Sequence, residues 1–207
     1  MSREFKIIRK PYDDIIYKKA HIEIKSGVTI LTGCNGSGKT TLLSMIKEQL
    51  QSFNIPVIYY NDKFEGGANA ISERVFYDDY ETVATLMQSS EGEQIYINLG
   101  NIASKIGKFV HAHKNDEEIW ILFDAIDSGL SIDNIIEIKE YLFKSILNDN
   151  INKNKKVFIV CSANSYEMCK DNSCFDVYSG EYIEFKNYED YWKYIIKSRK
   201  QKDKRFN

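Results

Sequence analysis

Residues 33–43, GCNGSGKTTLL, lie directly after the apolar run VTIL at residues 28–31. They fit the template G-x-x-x-x-G-K-[ST], in which a strand ends in a glycine-rich turn and a helix follows. β-Branched residues precede this turn and leucines follow it, as the strand and the helix of that template require. The stretch therefore predicts a strand, a phosphate-binding turn and a helix in direct succession.

The residue types in this turn suit a nucleotide phosphate. Glycine adopts positive φ easily, so backbone N–H groups from Asn35 to Thr40 can point inward, where the positive end of the helix dipole adds to their field. We expect Lys39 to reach the β- and γ-phosphates and the Thr40 hydroxyl to bind Mg²⁺. The alternative is a glycine-rich turn that binds no ligand. The nucleotide-binding residues predicted in this segment are Gly33, Asn35, Gly36, Ser37, Gly38, Lys39, Thr40 and Thr41.

Length and composition favour a single domain. The chain has 207 residues, 43% of them apolar, which suits one full core. No apolar run approaches about 18 residues, and no apolar segment follows the basic residues of MSREFKIIRK, so we expect neither a membrane span nor a signal peptide. Four cysteines without a C-x-x-C pair fit a reducing compartment. These features predict a cytoplasmic protein.

Charge is spread unevenly along the chain. The net charge is −2, but residues 193–207 hold seven Lys or Arg and one acid, Asp203. The rest of the chain has 21 basic and 29 acidic residues, a net charge of −8. We expect residues 1–192 to form one domain and residues 193–207 a basic C-terminal tail. Such a tail is a candidate contact for nucleic acid or another acidic surface, and a solvated, frayed end is the alternative.

Hydrophobic patterning predicts strands that alternate with helices. Short alternating segments between residues 4 and 32 predict a small antiparallel sheet leading into the strand before Gly33. The apolar runs EIWILFD and KKVFIVCSA predict strands buried on both faces, which favours a doubly wound parallel sheet with ligand at the carboxyl ends. Asp124, which closes EIWILFD, would then face the turn. Other expected elements are helix 40–53, strand 55–60, helical segments 78–88 and 93–113, helix 132–147, hairpin 174–186 and helix 187–200.

Four segments, in order, resemble the motifs of the ATP-binding cassette (ABC) ATPases. GCNGSGKTTLL resembles the Walker A loop, and SSEGEQ resembles the signature motif, with Ser90 and Gly92 at its serine and glycine. ILFDAIDSGLS resembles Walker B and the D-loop, and VFIVCSAN lies where the family has its switch strand. The resemblance covers about residues 4–185. It is closest to stand-alone and DNA-repair-type heads, similar to RecF, SMC and OLD ATPases.

This resemblance implies a P-loop NTPase fold of the ABC-head type. Such a fold has a mostly parallel sheet flanked by helices, a small antiparallel N-terminal sheet and a short helical subdomain. ATP and Mg²⁺ are the implied cofactors, with Thr40 and Asp124 at the metal. The implied active unit is a homodimer that holds ATP between the turn of one chain and Ser90 and Gly92 of the other, and that acts on an unidentified protein partner. Ser90 with Glu93 also matches a helix-capping box, an alternative compatible with the signature.

Departures from the family pattern concern hydrolysis. The family's catalytic glutamate follows the Walker B aspartate, but here Ala125 follows Asp124. General-base assistance is worth about 10²–10⁴-fold, so we expect ATPase activity to be slow or partner-dependent unless Asp127 substitutes. Ala163 or Asn164 replaces the switch histidine, and Asn164 retains a hydrogen-bonding group for the γ-phosphate without a positive charge. The predicted catalytic residues are Lys39, Asp124 and Asp127, and Asn164 joins the nucleotide-binding set.

Two other functions fit the sequence less well than an ABC-type ATPase. A nucleotide kinase needs arginines on a lid, and none of the five arginines lies in a lid-like insert. A nucleic-acid-binding module that uses ATP secondarily is the stronger alternative, because of the basic tail.

Tyr12 or Tyr17 is a candidate for stacking on adenine, although a core or surface role is the simpler interpretation. Asn61 is the amide nearest to the place of the family's Q-loop glutamine.

Overall fold

A computed structural model describes residues 1–8, 17–61 and 91–204, and only the backbone of residues 91–99 and of residue 150. A six-stranded sheet occupies its centre. In chain order its strands are β3 (Gly27–Thr32), β4 (Val57–Asn61), β5 (Glu118–Asp124), β6 (Lys156–Ser162), β7 (Ser173–Asp176) and β8 (Glu181–Ile183). Across the sheet the order is β4-β5-β6-β3-β7-β8, and β8 runs antiparallel to β7 while the other neighbours are parallel.

A second, two-stranded sheet lies at the N-terminus. It pairs β1 (Ser2–Lys6) with β2 (His21–Lys25) in antiparallel register. In β2 the apolar residues Ile22 and Ile24 are buried and their neighbours are exposed, as the alternation HIEIK predicts. These two sheets confirm the expected α/β class, with a mostly parallel sheet and a small antiparallel N-terminal sheet. One of the short segments expected to form strands, residues 15–19, forms none where it is described, at residues 17–19, and its first two residues lie outside the described residues.

Helices connect the strands. They are α1 (Lys39–Ser52), α2 (Glu91–Ala112), α3 (Ile132–Glu137), α4 (Lys144–Asn148), α5 (Tyr166–Cys169) and α6 (Tyr188–Asp203). A π-helical stretch, Ile138–Phe143, joins α3 to α4, so the helix predicted at 132–147 forms as one continuous but irregular segment. The predicted helical subdomain falls largely on residues 62–90, outside the described residues. Within the described ranges, no helix is both long and apolar enough to cross a lipid bilayer.

Helix α6 is longer than its pattern predicts and continues through Asp203. Its first residues explain where it begins: the Asn187 side chain accepts a hydrogen bond from the Asp190 backbone N–H at 3.0 Å. Acidic residues in the first turn and Lys200 and Lys202 in the last turn complement the helix dipole. Most of the segment expected to be a tail is therefore helical.

Strand β5 is buried on both faces, as its apolar run predicts. Ile121 and its alternating neighbours pack into one core cluster, whereas Trp120 and Leu122 pack into the other. The Trp120 ring stacks on Phe158 with centroids 3.9 Å apart and meets the edge of Phe5 at 5.2 Å. The core thus lies on both sides of the sheet, and it fixes the carboxyl ends of the strands in place.

Trp120 has an unpaired polar group, so its replacement by phenylalanine should change the stability of the protein unusually little. Its side chain is fully buried, yet its indole N–H has no hydrogen-bond partner in the described part of the chain. Trp120→Phe loses packing area but removes an unpaired donor, so the free energy of unfolding should change by less than about 1 kcal/mol. Urea denaturation measures this change. Phe158→Leu, which loses aromatic area without removing a polar group, should cost more, and the reverse order would contradict the argument.

Candidate functional site

The turn between β3 and α1 adopts the geometry that its glycines permit. Gly33 has a φ of 148° and Gly38 a φ of 97°, both in the region that favours glycine. A Cβ added to Gly33 would lie 2.4 Å from the Ser37 hydroxyl oxygen, so any side chain there would displace Ser37. Helix α1 begins at the next residue after Gly38, Lys39. The strand, turn and helix predicted from the motif therefore follow one another without a break.

Lys39 is held between this turn and the loop that follows β6. Its ammonium donates to the carbonyl oxygens of Gly33, at 2.8 Å, and Cys34, at 3.3 Å. It also donates to the side-chain oxygen of Asn164 at 2.9 Å. Burial lowers the pKa of Lys39, and the Cys34 thiol and two nearby carboxylates act in the opposite direction. Sequence prediction assigned Lys39 and Asn164 to one site, and the two side chains are in direct contact.

Asp124 ends β5 beside the first turn of α1. Its Oδ1 accepts hydrogen bonds from the Thr40 hydroxyl at 3.0 Å and from the Ser162 hydroxyl at 2.5 Å. Its Oδ2 lies 3.4 Å from the Tyr59 hydroxyl. Burial and the adjacent carboxylate raise the pKa of Tyr59 to about 12, so this phenol stays a neutral donor at physiological pH. The two residues predicted to bind Mg²⁺, Thr40 and Asp124, are thus in contact.

Ser162 is a site residue that sequence reasoning missed. Its hydroxyl donates to Asp124 and accepts the backbone N–H of Ala125 at 2.7 Å, so it fixes both residues at the end of β5. A signal for it existed: β5 and β6 are neighbours with Phe123 opposite Cys161, which places the next pair, Asp124 and Ser162, side by side. That signal required the strand register, which the sequence does not state.

The Ser162 contacts predict a measurable loss of stability. In Ser162→Ala the Asp124 carboxylate loses its shortest hydrogen bond and the partly buried Ala125 N–H loses its acceptor. The free energy of unfolding should fall by about 0.5–1.5 kcal/mol. Chemical denaturation of this variant beside Ser128→Ala, an exposed serine in the loop after β5, measures the effect. Equal stability of both variants would show that these hydrogen bonds contribute nothing net.

Asp127 links the loops that follow β5 and β6. Its Oδ2 accepts the backbone N–H groups of Asn164, at 2.7 Å, and Ser165, at 2.5 Å. Its Oδ1 is buried and has no hydrogen-bond partner among the described residues. The carboxylate partly opposes the lowering of the Lys39 pKa by burial, so its charge acts in the same site. The use of Asp127 as a replacement base stays a prediction. One of its carboxylate oxygens accepts two backbone N–H groups, and the other is buried.

Ala125 has a backbone conformation unusual for its type. Its φ is 55°, in the left-handed region, which costs a residue with a Cβ about 1–2 kcal/mol. The hydrogen bond from its N–H to Ser162 helps to hold this conformation. A strained, partly buried residue directly after Asp124 is thus fixed where the family resemblance expects the catalytic glutamate.

Helix α6 packs on the turn between β3 and α1, a contact that the sequence alone did not predict. The Ser198 hydroxyl accepts the backbone N–H of Cys34 at 3.0 Å. The aliphatic stem of Lys202 lies 3.4 Å from the position of a Cβ on Gly36. The Tyr191 hydroxyl donates to the Asn164 carbonyl at 2.5 Å. One face of the predicted tail thus braces both the turn and the loop that carries Asn164.

Some of the remaining predicted residues lie within the ranges that the structure describes, and others lie outside them. Asn35, Gly36 and Thr41 are exposed along the turn and the start of α1. Gly92 lies in α2, whereas Ser90 and Tyr12 lie outside the described residues. Tyr17 is buried, and its hydroxyl donates to the Gly38 carbonyl at 2.8 Å, so it packs beneath the turn in agreement with the core interpretation. Asn61 ends β4 opposite Asp124 and hydrogen-bonds Tyr59.

The residues that meet at this edge suit a phosphate group with Mg²⁺. The Ser37 hydroxyl is buried with no hydrogen-bond partner in the described chain, and it lies in the turn whose N–H groups would surround a phosphate. Thr40 and Asp124 supply the hard oxygen ligands that Mg²⁺ takes from a protein, the others being phosphates and water. The described residues include no group of three or more His, Cys, Asp or Glu able to hold a metal ion, and a site of this kind needs none.

Comparison with known proteins gives no independent assignment. No family model matches the chain, and no curated protein matches it either. The candidate site therefore stands on its own residues and their geometry.

Proposed function

We propose that this protein is an ATP-binding ATPase with a P-loop NTPase fold of the ABC-head type. ATP would hold two chains together, and this dimer would act as a nucleotide-dependent switch or motor for a protein partner. The observation that carries the proposal is the convergence of the Gly33–Gly38 turn, Lys39, Thr40 and Asp124 at one edge of the parallel sheet. Residues far apart in the sequence meet there with the chemistry that a Mg²⁺-nucleotide requires.

Each residue would have a distinct task in binding. The backbone N–H groups of the turn would surround the β-phosphate, and the N-terminus of α1 would add its dipole. Lys39, already in contact with Asn164, would place its ammonium on the β- and γ-phosphate oxygens. Thr40 and Asp124 would hold Mg²⁺, which when bound neutralises charge on the phosphates. Ser162 and Tyr59 would orient the Asp124 carboxylate through their hydroxyl groups.

Slow hydrolysis follows from the residue after Asp124. Ala125 has no group that accepts a proton from water, and the nearest carboxylate, Asp127, accepts two backbone N–H groups from the Asn164 loop. A long-lived ATP-bound state is therefore expected. Such a state suits a switch whose reset depends on a partner.

Sedimentation velocity with ATP, ADP or no nucleotide tests the proposal directly. ATP with Mg²⁺ should convert the protein to a dimer, and ADP should not. Ser90→Arg should abolish the dimer without abolishing ATP binding measured by calorimetry, while Ser52→Arg, at the exposed end of α1, should leave both intact. If ATP does not bind, the nucleotide site is wrong. If ATP binds and the mass is unchanged, the dimeric switch is wrong.

A further inference from the structure

The outward face of α6 carries an ordered row of lysines. Lys193, Lys197 and Lys200 in α6 and Lys204, which directly follows its last residue with a helical backbone, recur at spacings of four, three and four residues, which places them along one side of the helix. All four are exposed, and the row is about 16 Å long at the helical rise per residue. From Lys193 to Lys204 the single acid is Asp203. We call this row the lysine stripe.

Two exposed aromatic side chains lie on one flank of α6, about a quarter turn or more around the helix from the lysine stripe. Tyr188 and Trp192, one turn apart, are 61% and 52% exposed. Arg199 follows two turns after Trp192 and is also exposed. Trp192, half in solvent, offers a large apolar surface about a quarter turn around the helix from the row of positive charge. The combination suits a ligand that offers both anionic groups and flat rings.

Contacts made by the inward face of α6 hold the whole helix in place, including its outward face. Besides the contacts of Tyr191, Ser198 and Lys202, the Tyr194 hydroxyl donates to Asp176 at 2.8 Å. These anchors recur along the whole helix, so the stripe is held straight and is not the frayed end of the chain. An ordered row of charges loses little conformational entropy when a ligand binds.

One stripe lysine has an acidic partner on the same helix. Lys193 pairs with Glu189 at 2.7 Å. This pair is solvent-exposed, so it contributes little free energy and exchanges readily for a ligand phosphate. Lys197 and Lys200, in the middle of the row, are the strongest part of the positive surface.

We propose that the solvent-facing side of α6, from the lysine stripe around to Trp192, binds single-stranded nucleic acid. Phosphates would lie along the lysine stripe, and a base would stack on Trp192. The exposed indole favours a single strand over a duplex, because only an unpaired base presents its face to an aromatic side chain. The row of lysines favours a polyanion over an apolar peptide. The binding face is separate from the ATP site, so it can be tested without nucleotide.

Tryptophan fluorescence provides the measurement, because the other tryptophan, Trp120, is fully buried and stacked on Phe158. Oligo(dT) and oligo(U), titrated separately to distinguish DNA from RNA, should quench Trp192. The logarithm of the binding constant should fall with the logarithm of salt concentration with a slope of about −3, as expected for four neutralised phosphates on a single strand. Trp192→Ala should weaken binding, followed by anisotropy of a labelled strand, about 5- to 150-fold, and Trp192→Tyr should restore most of it.

Matched charge variants complete the test. Replacing the four stripe lysines with glutamine should remove most of the salt dependence, whereas the same change at Lys6, Lys108, Lys114 and Lys153, four exposed lysines outside α6, should not. Circular dichroism should show both variants folded, because glutamine has a similar helix propensity. The proposal is overturned if neither strand binds, if both quadruple variants lose affinity equally, or if duplex DNA, an acidic peptide or anionic vesicles bind more tightly than the single strands.

Discussion

Replacing Ala125 with glutamate should raise steady-state Mg²⁺-ATP turnover by about 10²–10⁴-fold, the usual worth of a positioned general base. Ala125 directly follows Asp124, the proposed metal ligand, at the carboxyl end of β5. The resemblance to ABC ATPases assigns this position to the carboxylate that polarises the attacking water. Restoring that carboxylate should therefore supply the one function that the native residue lacks.

The backbone at this position should accept the change. Ala125 already adopts a φ of 55° with a Cβ present, so glutamate meets the same backbone strain as alanine. Release of phosphate, measured at saturating ATP, reports the rate. Ala125→Gln is the matched control, since it has the same shape without a base. Turnover that rises equally in both variants, or in neither, contradicts the assignment of this position to the general base and leaves Asp127 as the candidate base.

The second large effect is expected from Lys39→Ala, which should weaken ATP binding by about 10- to 100-fold. Charged hydrogen bonds contribute about 1.5–3 kcal/mol each when their partner is desolvated, and Lys39 is buried beside the turn. The ammonium now binds Gly33, Cys34 and Asn164, so it is already placed against the backbone expected to surround the phosphates. Truncation removes the only side-chain cation that the proposal places on the γ-phosphate.

Calorimetry with ATP, ADP and AMP tests this prediction most directly. Affinity for ATP and ADP should fall, whereas affinity for AMP, which has neither a β- nor a γ-phosphate, should not change. Lys153→Ala, an exposed lysine in the loop before β6, should bind all three like the native protein. If AMP binding falls as much as ATP binding, Lys39 supports the fold and does not act on the phosphates.

The local chemistry of the chain was sufficient to predict the centre of the site. The spacing of Gly33, Gly38 and Lys39 allows few backbone paths other than a strand, a tight turn and a helix, because left-handed φ values are accessible chiefly to glycine. The apolar run before Asp124 likewise predicted a strand covered on both faces, and β5 is such a strand. These predictions depend on neighbours in the sequence, and they agree with the structure.

Contacts between distant segments had no such local signal. Ser162 meets Asp124 because β5 and β6 are paired in one register, and a shift of one residue would turn the hydroxyl to the opposite face of the sheet. Ser198 reaches Cys34 across 164 positions of sequence. Composition indicated only a basic end there, since a charge count does not reveal that Tyr191, Tyr194 and Ser198 share the inward face of a helix.

The sequence by itself therefore determined the α/β class, the glycine-rich turn between β3 and α1 and the meeting of Lys39, Thr40 and Asp124, since each rests on backbone preference or strand burial. Tertiary structure alone decided how those residues are supported. It set Ser162 beneath Asp124, engaged Asp127 with the Asn164 loop, and laid α6 against the turn with its lysines outward. Packing selects such partners by shape and register, which are properties of the whole chain and of no single segment.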